Sequence, residues 1–240
     1  MIRPGLSRAR IVARTEGVGD QWVIRSLESV GGEGWTSLKS DEHTTVFVGV
    51  LAGGWSIVKT HALTRPKDSL AAIFRRTRLH RQFRGTVRSI RAGIPAAIVR
   101  LVIRGRDEEG RVIDTLIMER VPGRSVLEIF ADAETNEETK RELAELVGAL
   151  THTLLAEGLF NRDHKPSNII VDESRGGFRP VLIDCVGVRK AKTGDTIERL
   201  LKNLVVELIG YSCAPSSTSA WRALCASLPD ASRHERKAAW

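Results

Sequence analysis

The sequence predicts an α+β protein in which an antiparallel sheet with one helix precedes a shorter, mainly helical region. Two β-branched and aromatic runs, Thr44–Val50 and Trp55–Thr60, flank Gly53-Gly54 and predict a hairpin. Apolar residues with roughly helical spacing then extend from Asp68 to Ala92, and an amphipathic helix is predicted over 136–157. Strands that come first and helices that come later favour a sheet lobe followed by a helical lobe.

The remaining elements are shorter. Gly93-Ile94-Pro95 ends the first helix, and Gly158 stands where a C-terminal cap of the second helix is expected. Thr135 and Glu138 have the spacing of a capping box at the start of that second helix. The other predicted segments, in chain order, are the strands Ala97–Ile103, Val112–Met118, Ile169–Val171 and Val181–Ile183 and the helices Ile197–Ile209 and Trp221–Leu228.

The order of these elements divides the chain into four predicted segments. An N-terminal extension covers residues 1–37, a sheet lobe covers 38–120, a mainly helical lobe covers 121–232, and a flexible tail covers 233–240. The seam between the lobes is expected near Met118–Gly123, directly after the last strand of the sheet lobe.

Composition excludes two classes of protein and favours anionic partners. A hydrophobic fraction of 42% and a charged fraction of 28% are typical of a globular protein and not of a disordered one. No run of about 18 apolar residues is present, so no membrane-spanning helix is expected. The three cysteines have neither zinc nor redox spacing, which favours reduced thiols and a cytoplasmic protein. The formal net charge of +8 favours anionic partners such as nucleotides or membrane surfaces.

The segment NRDHKPSNIIVD contains the strongest chemical signal. Asp163 and Asn168 lie five residues apart on a turn between a helix and a strand, and Asp184 ends a later strand. Phosphoryl transfer requires a carboxylate that accepts the proton of the attacking hydroxyl and hard oxygen ligands for magnesium. A nearby cation, for which Lys165 is available, would offset charge on the transferring phosphate.

The segment RDHKPSN resembles the catalytic loop of protein kinases, H-R-D-x-K-x-x-N. The resemblance implies a two-lobed protein-kinase-like fold that uses ATP and Mg²⁺. It also implies that Asp163 is the catalytic base, that Lys165 contacts the γ-phosphate, and that Asn168 is a metal ligand. LIDCVGVRK occupies the place of the D-F-G segment, so Asp184 would be the other metal ligand.

Four further residues receive nucleotide-binding roles from the same resemblance. IVKT matches the strand that supplies the phosphate-binding lysine, which would be Lys59. MERVPG resembles the hinge whose backbone meets adenine, which assigns Glu119 and Val121 to nucleotide binding. Gln82 stands where the helix glutamate would pair with that lysine, and glutamine cannot form the ion pair.

Two passages narrow the resemblance to the bacterial lipopolysaccharide core kinases, which phosphorylate heptose or Kdo sugars. These passages are FRRTRLHRQFRGTVRSIRAGIP and the I-D-x-x-x-V-R form of the metal-ligand segment, and the similarity covers roughly residues 38–210. The implied acceptor is a hydroxyl of an anionic glycolipid. The chain departs from the protein-kinase pattern in lacking a glycine-rich loop, replaced by Ser40–Thr45, and in having Asn161 where histidine is usual.

Two other functions remain open at this stage. A protein serine/threonine kinase is favoured by Lys165-Pro166, because that lysine is typical of protein-directed kinases, but the region after Asp184 is short. A nucleotide-binding pseudokinase scaffold is favoured by Gln82 and Asn161, whereas the retained acids oppose it. His164 and Cys185 are interpreted as packing residues.

The segment Arg65–Arg91 is strongly basic, with nine Lys or Arg residues against a single Asp, a net charge of +8. These cations lack acidic partners at i+4, and arginine suits phosphate and carboxylate recognition. We expect this segment to dock on an anionic glycolipid or on the inner membrane as a peripheral contact. No specific nucleic-acid binding is expected, because no aromatic residues are interleaved to stack on bases.

Overall fold

The computed structural model describes residues 9–19, 21–23, 26, 30, 32–51, 54–107, 109–174, 176–230 and 236. The chain forms two compact units, one made of Met1–Val87 with Ala97–Arg120 and the other of Arg88–Ala96 with Val121–Trp240. Of the predicted extension and tail, residues 1–8 and all of 233–240 except Arg236 lie outside the described residues. The predicted turn residue Gly53 lies outside them as well.

The first unit contains an antiparallel sheet that in the described residues has six strands, in the order β1-β5-β6-β4-β3-β2. The predicted hairpin is present, with Val50 opposite Trp55 and Thr44 opposite His61. The apolar side of the sheet packs around the fully buried Val58, Leu101 and Ile117. In chain order the strands are β1 (Arg10–Arg14), β2 (Thr36–Ser40), β3 (Thr44–Leu51), β4 (Gly54–Ala62), β5 (Val99–Arg106) and β6 (Val112–Glu119).

Strands β1 and β2 were not predicted, and both lie at edges of this sheet. All five residues of β2 are exposed, so its sequence TSLKS has no alternation of buried and exposed positions to indicate a strand. Strand β1 pairs with β5 through an irregular register between Ile11 and Ala13. Part of the segment that the sequence assigns to an extension therefore belongs to the sheet.

The predicted helix from Asp68 to Ala92 is wrong as a single element, because the structure has two helices there. These are α1 (Pro66–Ile73) and α2 (Arg78–Arg91), and Arg75 lies between them with a left-handed φ of 51°. A buried polar network fixes the break. The Thr77 hydroxyl donates to the Asp114 carboxylate at 2.5 Å, and the Arg104 guanidinium binds that carboxylate with distances of 2.7 and 3.1 Å.

The second unit contains four helices in its described part and two small sheets. Its core is formed by apolar residues that include Ile129, Leu143, Leu154, Ile169 and Leu182, each almost fully buried. In chain order the elements are β7 (Arg124–Ser125), α3 (Val126–Ala131), α4 (Glu137–Ala156), β8 (Leu159–Asn161), β9 (Ile169–Asp172), β10 (Arg179–Leu182), β11 (Val188–Lys190), α5 (Ile197–Gly210) and α6 (Ser217–Ser227).

Most predicted elements of this unit are present, with shifted ends. The predicted capping box at Thr135 is wrong by one residue, since Asn136 is the N-cap and accepts from the Thr139 N–H. Gly158 has a φ of 65° directly after the helix, as a C-terminal cap glycine should. The short elements α3, β8 and β11 were not predicted. None of the helices in the described residues is both long enough and apolar enough to cross a bilayer.

Candidate active site

The turn after β8 positions Asp163 and Asn168. A single 3₁₀ turn, Pro166–Asn168, follows Lys165, whose carbonyl accepts from the Asn168 N–H at 3.0 Å. The Asn168 side-chain amide lies 3.0 Å from the backbone carbonyl of Asp163. A carbonyl can only accept, so the atom that faces it is Nδ2, and the Oδ1 of Asn168 points elsewhere. The fold thus holds an amide oxygen beside Asp163 in a fixed orientation.

Asn161 supports the same turn through its buried side chain. Its side chain is fully buried, and its Oδ1 accepts from the Asp163 N–H at 3.1 Å. Its Nδ2 is buried with no hydrogen-bond partner in the described part of the chain. An asparagine in place of the usual histidine therefore still makes a direct backbone contact that orients Asp163.

Asp184 follows β10. Two backbone hydrogen bonds hold the segment that contains it against the turn. The Ile183 N–H donates to the Asn168 carbonyl at 3.0 Å, and the Gly187 carbonyl accepts from the Arg162 N–H at 3.2 Å. The half-buried Asp184 carboxylate accepts from the Val186 N–H through Oδ1 at 3.0 Å. The three oxygen-bearing residues that the sequence singles out are consequently brought together in one unit.

Gly187 permits this close approach. A Cβ built at this position would lie 2.7 Å from the Asp163 amide nitrogen and 2.8 Å from both Asn161 Oδ1 and Asp163 Oδ2. Two of these atoms belong to a tightly held turn, so a side chain would displace the turn or the Asp184 segment. The glycine is required by packing, since its φ is not in the left-handed region.

The oxygen donors fit a magnesium ion that is shared with a nucleotide. Asp184 and Asn168 offer one carboxylate and one amide oxygen, and magnesium is usually held by one or two carboxylates together with substrate phosphates and water. Among the described residues, no cluster of three or more His, Cys, Asp or Glu side chains is arranged to hold a metal ion without such help. The donor set is therefore suited to a metal that arrives with its nucleotide.

His164 is a packing residue beneath the turn. The Thr151 hydroxyl donates its only hydrogen to the Val147 carbonyl at 2.7 Å, so its 3.0 Å contact with His164 Nε2 must be donated by the imidazole. Nδ1 is then unprotonated, and it is buried with no partner in the described chain. Complete burial lowers the pKa of the His164 imidazole to about 4.

Helix α5 braces the turn from the other side, which the sequence did not indicate. The Glu207 carboxylate accepts from both the N–H and the hydroxyl of Ser167, each at 2.8 Å. The Asn203 side-chain amide donates to the Arg162 carbonyl at 3.1 Å. Two polar residues one turn apart on a predicted amphipathic helix are an ordinary pattern, so only the fold reveals that they support the turn.

A basic pocket of about 290 Å³ adjoins the turn, lined by Phe160, Arg162, Arg199, Lys202 and Asn203. Arg162 contacts the Asp163 carboxylate at 3.7 Å, which is beyond hydrogen-bonding distance. Lys202 is exposed, and no ion pair holds it in the described structure. The pocket therefore presents positive charge directly beside Asp163.

One wall of this pocket is fixed by a buried carboxylate. Arg189 and Arg199 both bind Asp195, with shortest distances of 2.5 and 3.0 Å, and both guanidinium groups stack over the Phe160 ring. Hydrogen bonding to Arg189 lowers the pKa of the Asp195 carboxyl to about 2, in spite of its burial. Because the pKa of Asp195 is low, its carboxylate stays ionised and can pair with both arginines throughout the physiological pH range.

The predicted residues of the first unit lie in its sheet and in α2. Lys59 is half-buried in β4, opposite Val46 and Leu116 in the neighbouring strands. Gln82 is buried, and its Nε2 lies 3.6 Å from the Met118 sulfur. Gln82 stands where kinases have the helix glutamate, and its side chain is directed toward Met118, the residue before Glu119.

The predicted hinge residues fall on both sides of the division between the units. The Glu119 carboxylate accepts from the Ile98 N–H at 2.8 Å, and its own N–H donates to the Ile98 carbonyl at 3.0 Å. Glu119 is thereby fixed to the start of β5. Val121 is half-exposed in the second unit.

In the turn Ser40–Thr45, which replaces a glycine-rich loop, backbone N–H groups donate to the turn's own Asp41. The Asp41 carboxylate accepts from the N–H groups of His43 and Thr44 at 3.0 and 2.7 Å. The hydrogen bond from His43 is the main reason that the pKa of the Asp41 carboxyl is lowered. Glycine-rich loops bind phosphates with such N–H groups, and here an internal anion occupies them.

Comparisons with known proteins agree with the predicted fold. Residues 112–210, somewhat less than half of the chain, match the family model of the ABC1 atypical kinase-like domain. A structure of WaaP in complex with acyl carrier protein is similar with a TM-score of 0.66 and 15% identity, over 96% of this chain and 92% of that one. No curated protein matches the sequence. The likeness to WaaP shows that the chain has a protein-kinase-like fold, as predicted.

A second solved structure gives a weaker match. The kinase domain of PknI from Mycobacterium tuberculosis is similar with a TM-score of 0.47 and 19% identity, over 78% of this chain and 77% of that one.

Replacing Glu207 with alanine is expected to loosen the turn. The substitution removes two hydrogen bonds to Ser167 that involve a charged acceptor, worth on the order of 1–3 kcal/mol of unfolding free energy. Amide hydrogen exchange in the segment 166–170 should accelerate more than in β4. Glu142→Ala is the matched control, because Glu142 is an exposed glutamate of α4. Equal exchange in the two variants would show that α5 does not brace the turn.

His164 makes stability depend on pH in a defined window. Its folded pKa of about 4 lies below the ordinary value of 6.5, so the unfolded chain binds more protons between these values. Its contribution to stability is complete above pH 6.5 and is lost as the pH falls toward 4, by on the order of 3 kcal/mol. Urea unfolding of the parent and of His164→Gln between pH 7 and 4 measures the change in the free energy of unfolding with pH. The variant should show the shallower pH dependence, and identical slopes would contradict the assignment.

Proposed function

We propose that the protein is a phosphotransferase that moves the γ-phosphate of ATP to a hydroxyl acceptor, with magnesium bound through Asp184 and Asn168. The observation that supports this best is the fixed orientation of Asn168, whose Nδ2 is held by the Asp163 carbonyl. That arrangement leaves the amide oxygen available as a ligand in the same unit as the carboxylates of Asp163 and Asp184, and a shared metal and phosphate site requires such oxygens.

Asp163 is the proposed catalytic base. Its carboxylate is 35% exposed, and its nearest cation, Arg162, lies 3.7 Å away. At that separation the carboxylate oxygens remain free to accept a hydrogen bond from a substrate hydroxyl, which orients it and receives its proton. The exposed Lys165 would contact the γ-phosphate and offset charge that develops on it.

The nucleotide-binding roles of four other residues are proposals of the same kind. Lys59 would bind the α- and β-phosphates, with Gln82 in the position of its helix partner. Glu119 and Val121 would supply backbone groups to adenine. Magnesium, when bound, would neutralise phosphate charge, and the protein's own part is to position the oxygens of Asn168 and Asp184.

An anionic acceptor is favoured by the basic pocket. Arg162 lies beside the proposed base and shares the pocket lining with Arg199 and Lys202, so a phosphate or carboxylate on the acceptor would be held there while its hydroxyl meets Asp163. A sugar acceptor is supported by the resemblance of FRRTRLHRQFRGTVRSIRAGIP and of the I-D-x-x-x-V-R segment to the lipopolysaccharide core kinases. A glycolipid core sugar is therefore the proposed acceptor, with the cytoplasm as the proposed location.

A nucleotide-binding pseudokinase is the second candidate function. It is favoured by Gln82, which cannot form the ion pair of active kinases, and by the occupation of the His43 and Thr44 N–H groups by Asp41. Both features concern how the nucleotide's phosphates would be positioned for transfer, so measurements of nucleotide binding and of turnover in the parent separate the two functions.

Two substitutions test the proposal together. Asp163→Asn keeps the shape of the side chain, so stabilisation by magnesium-ATP in thermal unfolding should persist while ATP turnover falls at least about a hundredfold. Asp184→Ala removes a metal ligand and should abolish the stabilisation that depends on magnesium. Retained turnover in Asp163→Asn would exclude the catalytic role, and magnesium-ATP binding without any turnover in the parent would favour the pseudokinase.

Lys202→Gln tests the acceptor pocket. Removing one cation from a pocket that holds an acceptor anion should raise KM for a phosphorylated sugar acceptor about three- to tenfold, with kcat little changed. Lys192→Gln, which removes another exposed lysine of the second unit, should leave KM unchanged. An equal effect of both changes would indicate that only the net charge matters. A loss of kcat alone would place Lys202 outside acceptor binding.

A further inference from the structure

Helix α1 and its C-terminal cap residue Phe74 expose large apolar side chains, whereas the small residues of the helix turn inward. Leu70, Ile73 and Phe74 are 59%, 75% and 62% exposed, whereas Ala71 and Ala72 are half-buried. The spacing i, i+3 and i+4 places the three large side chains on one face of the helix. Single exposed apolar residues are ordinary, but three large ones on one face form a patch that marks an interaction site.

Hydrogen bonds attach the helix that carries this patch to the sheet. The Arg104 guanidinium donates to the Ala72 carbonyl at 3.1 Å while it also binds the buried Asp114 carboxylate, so it connects the end of α1 to the sheet. At the other end, the Asp68 carboxylate accepts from the Arg65 N–H at 3.2 Å. The exposed apolar face is therefore presented by a fixed element of the first unit, and it is not a frayed segment.

Cations surround the apolar face. Seven Lys or Arg residues and a single Asp lie within 65–84, and no ion pair neutralises any of the seven in the described part of the chain. The seven, all exposed, are Arg65, Lys67, Arg75, Arg76, Arg78, Arg81 and Arg84. Arg75 and Arg76 directly follow Phe74, so positive charge borders the apolar patch on the same short stretch of chain.

We infer that α1 and the start of α2 form a bilayer-docking surface that inserts Leu70, Ile73 and Phe74 at the boundary between headgroups and acyl chains. The surrounding arginines would contact the phosphates of anionic lipids. This combination of an apolar face with a cationic border is typical of interfacial helices. The charge complementarity selects an anionic bilayer over an apolar protein partner, which would not require seven unpaired cations. The inference does not depend on catalysis.

A second exposed apolar set provides a matched control. Val206, Ile209 and Tyr211 are 57%, 58% and 66% exposed at the end of α5, with the same spacing in part, and no Lys or Arg occurs between 203 and 216. If exposure of apolar side chains alone caused membrane binding, both sets would contribute. If the cationic border is required, only the α1 set will.

Vesicle sedimentation without nucleotide tests the surface. The parent should bind vesicles of phosphatidylglycerol and phosphatidylcholine and should not bind phosphatidylcholine alone. L70S/I73S/F74S should lower the partition coefficient at least about tenfold, and R75Q/R76Q/R78Q should lower it by about tenfold or more. The controls V206S/I209S/Y211S and R179Q/K190Q/K192Q should bind as the parent does.

Insertion is measured separately with Phe74→Trp. Relative to the parent, this variant should gain a blue-shifted emission component on anionic vesicles, and brominated acyl chains should quench it. Four results would overturn the inference: no vesicle binding, equal binding to neutral vesicles, equal losses in the control variants, or an unshifted and unquenched tryptophan. The kinase activity of L70S/I73S/F74S towards a soluble acceptor should equal that of the parent. This measurement separates a failure of the docking inference from a failure of the proposed function.

Discussion

The hydrogen bond from the Asn168 side chain to the Asp163 carbonyl is the interaction on which the candidate site depends. It closes the turn on itself, so one contact links the backbone of Asp163 to the orientation of the Asn168 amide. The other supports act on the same turn: Asn161 holds the Asp163 N–H, and Glu207 holds Ser167. Without that bond the amide would be free to rotate, and its oxygen would have no defined orientation.

The departures of the chain from the protein-kinase pattern have unequal structural consequences. Asn161 makes a backbone contact to Asp163, so the turn keeps its support. Asp41 has a different effect, since its carboxylate accepts from the His43 and Thr44 N–H groups in the turn that replaces a glycine-rich loop. Gln82 is buried against Met118 and contributes no charge. The turn of the second unit therefore keeps its backbone support, and the other two departures lie in the first unit.

The basic segment illustrates how a tertiary contact changes the meaning of a sequence pattern. Its charge predicts a docking surface, and its apolar spacing predicts one continuous helix. The continuous helix is wrong because Asp114, buried in β6, binds both Thr77 and Arg104 and holds the chain in a turn between α1 and α2. The turn exposes Phe74 beside Arg75 and Arg76, an arrangement that a single helix would not have produced. Arg88 is withdrawn from the surface, since it donates to the Val188 carbonyl within the second unit.

Local patterns in the sequence determined the hairpin of β3 and β4, the helix α4 with its Gly158 cap, the protein-kinase-like fold class, and the residues that meet at the turn. Such features depend on neighbours a few positions apart, which a sequence displays directly. The sequence also carries a capping box, Ser125 with Glu128, at the start of α3, a helix that was not predicted. Tertiary structure alone decided the orientation of Asn168, the bracing by Asn203 and Glu207, and the need for glycine at 187. These depend on atoms that lie far apart in the chain, and their partners are selected by packing rather than by spacing.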